Sequence, residues 1–142
     1  MEFMSTLKHD LVQFSTALRH FHSSLLDLTR LEYEQRSGTK PNAFTLFNLV
    51  MQEPSFQWLR PLSGLMATLD EVIDAKATLG NPQVRDLERA VGELFSPLEP
   101  KYADFRSNYE RLKFEPRVRQ TERVWREKLL ELRTKFLEGE LN

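Results

Sequence analysis

The sequence predicts an all-α protein: an elongated up-and-down bundle of four main helices, two of them interrupted by proline, plus one short helix. Three observations predict it. There are 23 Leu against seven Val and one Ile, and Leu favours helices whereas β-branched residues favour strands. No stretch sustains the apolar/polar alternation of a half-buried strand. Apolar residues instead recur three and four apart in every long segment.

The first helix is the clearest element. Leu7, Leu11, Phe14, Leu18, Phe21, Leu25 and Leu28 are spaced 4, 3, 4, 3, 4, 3, a heptad-like repeat. Val12, Leu26 and Leu31 widen the stripe, which suits a bundle. Ser5 or Thr6 is placed to cap its start and Gly38 to end it. A rod of about 48 Å follows from ~32 residues. That exceeds the ~14–15 Å radius of gyration of a compact globule of this length, so either the bundle is elongated or this helix projects.

Residues 37–42 form a turn by composition. Asn42 can cap a short helix over 43–52, ended by Pro54. This segment is apolar nearly all round and is expected to be well covered. Over 54–76 two stripes overlap, Trp58-Leu62-Leu65-Leu69-Val72 and Leu59-Leu62-Met66-Leu69-Ile73. They predict a central helix over 61–76, preceded by a helical turn at 55–60 and kinked at Pro61, which cannot donate a helical hydrogen bond. Asn81-Pro82 starts the next helix, with Val84, Leu87, Val91, Leu94 and Phe95 on one face. Tyr102, Phe105, Tyr109 and Leu112 mark a further helix that Pro116 breaks or kinks. The last runs over about 116–138 through Val118, Trp125, Leu129, Leu132 and Phe136, and Gly139 ends it.

Size and composition bound the function. A chain of 142 residues reads as one domain, 1–142, able to bury roughly 70% of its extended-chain surface. With no Cys, disulfides, thiol nucleophiles and Cys-based metal sites are excluded. A net charge of −1 makes a nucleic-acid partner unexpected. No apolar run exceeds three residues, far short of a signal sequence or a membrane span, so a cytoplasmic protein is expected.

Catalytic patterns are not legible. His20 and His22 are two apart on a helix and point different ways, and His9 and His20 are ~16 Å apart along it. Asp70 and Asp74 share a helix face and are expected to meet basic residues of a neighbouring helix rather than a metal. Ser37-Gly-Thr-Lys40 fits an S-x-x-K string but lies in a turn without the companion motifs. No cofactor is expected.

Two regions are candidates for interaction. Segment 111–135 carries nine Lys/Arg against four Glu. Glu115–Arg119, Glu122–Arg126 and Glu131–Lys135 are helical ion-pair spacings that would internalise part of this charge, and Arg117, Lys128 and Lys135 flank the apolar stripe. Leu130 and Leu137 lie about 120–140° from Trp125 on a helical wheel and share their strip with Arg123, Arg126 and Arg133. They are either scattered surface leucines or a second contact surface, within the bundle or to another chain. The other region is Pro54-Ser-Phe-Gln-Trp-Leu-Arg-Pro-Leu-Ser-Gly-Leu65. There Trp58 is expected to anchor the kink, largely buried, and Arg60 to reach a helix C-terminus or a carboxylate. Trp and Arg also dominate interface hot spots.

This stretch, with Leu-Asp70-Glu71 beyond it, resembles the signature P-x-F-x-W-L-R-P-L-S-x-L of a family of small uncharacterised helical bacterial proteins. Pro54, Phe56, Trp58, Leu59, Arg60, Pro61, Leu62, Ser63, Leu65, Asp70 and Glu71 carry the resemblance, which extends loosely over the first helix and fades beyond residue 80. It implies a bacterial cytosolic helical bundle and no activity. The expected function is a non-catalytic protein-interaction or scaffold module able to self-associate, with a homodimer as a candidate state. The alternative is a small-ligand-binding or regulatory bundle with a pocket lined by Phe and Trp.

Overall fold

The structure is a computed structural model that describes residues 2–138, with side chains from residue 6 onward. The described residues contain six α-helices and no strand: α1 (Glu2–Ser37), α2 (Ala43–Gln52), α3 (Arg60–Asp74), α4 (Asn81–Phe95), α5 (Ala103–Leu112) and α6 (Pro116–Phe136). Short 3₁₀ turns occupy Pro54–Leu59 and Pro100–Tyr102.

Helix α1, about 54 Å long at 1.5 Å per residue, is the axis of the molecule. It begins earlier than the capping pattern predicts, so Ser5 and Thr6 lie inside its first turns. Its end is as expected. Gly38 adopts φ 75°, and its N–H donates to the Glu34 carbonyl at 2.8 Å, the left-handed glycine terminator. Leu7, Leu11, Phe14, Leu18, Phe21 and Leu25 are buried, so the heptad stripe is the core face. Leu26 widens it. Val12 and Leu31 do not; both are exposed, because the arc covered by α3 and α6 stops short of them.

Helix α6 packs along α1 more extensively than any other element, and α3 packs on α1 as well. Helix α4 contacts both α3 and α6. Where α1 and α6 meet, Ser24 is fully buried; its hydroxyl donates to the Phe21 carbonyl and lies 3.1 Å from Thr121 Oγ1. Phe95 sits at the aromatic centre, with ring centroids 5.1–5.4 Å from Phe105, Tyr109 and Trp125.

The prolines explain the breaks. The Pro54–Leu59 turn passes into α3 with Pro61 in its first turn, where a missing N–H leaves no bond unmade. Pro116 separates rather than kinks: Glu115 is extended (φ −62°, ψ 132°) and Pro116 opens α6 as a new helix. Helix α4 is capped one residue earlier than predicted. Gly80 is the cap, and the Gln83 side chain accepts from its N–H at 2.7 Å. Gly139, the predicted terminator of the last helix, lies outside the described residues; α6 itself ends at Phe136.

Candidate functional site

Helix α2 forms because Asn42 Oδ1 accepts from the Thr45 N–H at 2.8 Å, relieving one of the unpaired donors of a first turn. The segment Ala43–Gln52 contains no charged residue. Contrary to the expectation that it would be well covered, none of its residues is buried. Its principal contact is with the Pro54–Leu59 turn, so it lies outside the layer in which α1, α3, α4 and α6 cover one another. Leu46, Leu49 and Val50 are half-buried. Phe44, Phe47 and Met51 are 77%, 63% and 53% exposed. Their spacing of three and four puts them on one stripe, the anchor pattern of a helix that docks in a groove or on a second helix.

The distinctive 54–65 segment holds α2 in place. Phe56 and Trp58 are buried, Trp58 at 4% exposure. Phe56 packs on Tyr33 of α1 at 5.9 Å, and Trp58 on Phe105 of α5 at 5.8 Å. Trp58 therefore offers no face to a partner: its ring is consumed by the interior. Arg60 is exposed, and its guanidinium donates to the Met51 carbonyl at 2.9 Å. Gln57 Nε2 donates to the carbonyls of Val50 and Glu53. These bonds satisfy the open carbonyls at the end of α2. The segment positions the exposed stripe of α2 rather than supplying it.

On α6 the strip of three arginines and two leucines divides. Leu130 is 57% exposed, but Leu137 is half-buried against the core. It occupies the C-cap position, its N–H still bonded to the Arg133 carbonyl at 2.9 Å. The continuous outward leucine strip is thus not formed. Arg133 pairs with Glu88 of α4. Arg126 pairs with Glu122 at 2.8 Å and lies over the rings of Trp125 (4.5 Å) and Phe95 (5.2 Å). Arg123 is exposed and has no charged partner among the described residues. An open groove of about 600 Å³ runs between α5 and α6 past Lys113, Phe114, Arg123 and Leu130. Tyr109 borders it, donating to Glu122 at 2.6 Å. Burial, reinforced by the Glu122 carboxylate, raises the pKa of this phenol and keeps it a neutral donor.

Other cations of the basic segment turn inward. Arg117 pairs with Asp27 and Lys135 with Asp10, both on α1, and Arg111 of α5 pairs with Glu32 of α1. Of the three helical ion-pair spacings, Glu122–Arg126 forms, whereas Lys135 goes to Asp10 and Glu131 to Lys128. Asp70 likewise accepts from Ser15 at 2.8 Å and from Arg19 at 3.2 Å.

The sequence pattern did not reveal one polar pair. His22 Nε2 lies 2.9 Å from Ser63 Oγ, a contact across 41 residues between helices. Ser63 Oγ also lies 3.2 Å from the Leu59 carbonyl, one turn back on its own segment. Burial lowers the His22 pKa below 6.5. Compared with protein-family models, curated proteins and solved structures, the chain matches none.

Proposed function

We propose that this protein is a non-catalytic protein-interaction module that self-associates through α2. The reading rests on one observation: an uncharged helix carries Phe44, Phe47 and Met51 on one exposed stripe. A second copy suits such a stripe. Antiparallel pairing about Phe47 sets Phe44 beside the second copy's Met51, opposes the helix dipoles favourably and brings no like charges together. Three anchors per copy bury less than the about 1,200 Å² typical of a stable interface. The association is accordingly weak and depends on concentration.

The supporting scaffold is an up-and-down bundle of four units: α1, α3, α4 and α5–α6. Support for it comes from the packing of α1 on α3 and α6, and of α4 on the same two. The resemblance carried by Pro54–Leu65 supports a bacterial, cytoplasmic setting, and the inward ion pairs of α5 and α6 argue against a nucleic-acid partner. Sedimentation equilibrium tests the function. The native chain is expected to show a mass that rises with concentration, and the Phe44→Glu, Phe47→Glu variant a 16.7 kDa monomer with unchanged helical circular dichroism. A native chain that stays monomeric at about 1 mM overturns self-association.

A further inference from the structure

The open groove along α6 extends beyond its junction with α5. Its first part, about 600 Å³, lies between α5 and α6. Past Arg126 and Leu130 it continues between α6 and α4 as a second part of about 330 Å³. Gly92 of α4 borders that part, and a Cβ there would meet nothing within 4 Å. From Arg119 to Arg133 the groove follows α6 for ~21 Å, an extent that suits a docked helix.

The cations of the groove are unequally engaged. Arg126 pairs with Glu122, Arg133 with Glu88 and Lys113 with Glu110. Arg119 and Arg123 are exposed and have no charged partner among the described residues. They lie four residues apart on one face of α6, where like charges repel and weaken a helix. Large apolar side chains precede and follow this pair along the chain, and both line the groove. Phe114, 72% exposed, stands in the turn before α6, and Leu130, 57% exposed, lies ~10 Å beyond Arg123 along the helix. The order is therefore apolar, cation, cation, apolar.

We propose that this groove binds an acidic amphipathic helix of a partner protein. Two carboxylates four residues apart on the partner meet Arg119 and Arg123, whose planar forks suit carboxylates. Apolar residues to either side of them pack on Phe114 and Leu130. The charges set register and partner choice, and the apolar contacts add affinity. A nucleic acid fits less well. Its uniform negative charge would run past Glu122 and Glu127, which share the groove, to reach only two cations without a charged partner. A helix can place carboxylates opposite the arginines and neutral residues opposite the glutamates. Helix α2 of a second copy does not fit either, since it contains no carboxylate. The groove is thus a second surface, and the proposal does not depend on self-association.

The test uses fluorescein-labelled helical peptides of about 18 residues. Each carries two Glu four residues apart, with Leu on the same face to both sides, and the set varies the distance from Glu to Leu over one turn. Native protein is titrated into each peptide and the anisotropy is followed. At least one peptide is expected to bind saturably with a Kd below about 300 µM, and its counterpart with Gln in place of both Glu at least about tenfold more weakly. Arg119→Glu, Arg123→Glu is expected to weaken binding by at least about tenfold with unchanged helical circular dichroism, and Leu130→Ala by about threefold. Phe44→Glu, Phe47→Glu is expected to bind as the native chain does. No saturable binding in any register, equal binding of the Gln peptide, or unaltered affinity in the double-arginine variant overturns the proposal. Tighter binding of a single-stranded oligonucleotide overturns it as well and assigns the arginines to phosphate. Loss of binding in Phe44→Glu, Phe47→Glu places the peptide on α2 and equally overturns it.

Discussion

The large ring of Trp58 is buried between the 54–59 turn and Phe105 of α5. Trp58→Ala is expected to destabilise the fold by about 3–5 kcal/mol, the range for emptying a large aromatic site, read by denaturant unfolding. His22 makes stability depend on pH. Its folded pKa lies below the unfolded 6.5 because burial penalises the charged ring. Between the two values the unfolded chain binds more protons, so stability is fully present above pH 6.5 and declines as pH falls towards the lowered value. His22→Gln, which keeps a donor for Ser63, is expected to flatten that decline in a series of melting temperatures. A decline of unchanged slope in the variant would assign it to other groups.

At the level of elements, α2 and the end of α1 show local chemistry deciding geometry. A Cβ added at Gly38 meets nothing within 4 Å, so Gly38→Ala is opposed by backbone conformation alone, at φ 75°. Its expected destabilisation is about 1–2 kcal/mol. Asn42→Ala removes the cap of α2, worth ~1 kcal/mol. Since α2 buries no residue, that loss is expected to appear as faster amide hydrogen exchange confined to residues 43–52 rather than as a lower global stability. On α6, Leu130→Glu is expected to leave the unfolding midpoint nearly unchanged and Leu137→Glu to lower it, because only Leu137 packs on the core. Equal effects would restore the continuous strip that the sequence suggested.

For the whole molecule, ion pairs between helices and the α2 stripe act differently. Lys135 reaches the buried Asp10, whereas Arg117 and Asp27 join α6 to α1 at half-exposed positions, where a pair contributes little energy and salt weakens it. The α2 contact contains no charge. Self-association is therefore expected to persist or strengthen when salt is raised from 0.1 to about 1 M, where the Debye length falls to ~3 Å, with sedimentation as the readout. Dissociation by salt would place the contact on the arginines of α6 instead.

The sequence by itself determined the helical class, the core face of α1, the turn at 54–59 with the burial of Trp58, and the glycine end at residue 38. These follow from short-range causes: helical periodicity, the missing N–H of proline and the left-handed tolerance of glycine. It did not determine which apolar faces find a cover. Helix α2 is more apolar than α1, yet it is α1 that is buried, because coverage depends on the neighbours that the chain brings alongside and not on the residues of the helix itself. Leu130 and Leu137 differ in burial for the same reason. The His22–Ser63 and Glu32–Arg111 contacts join residues 41 and 79 positions apart, and periodicity within one helix carries no information about such pairings. Only the tertiary packing of α1 against α3, α5 and the 54–59 turn decided them.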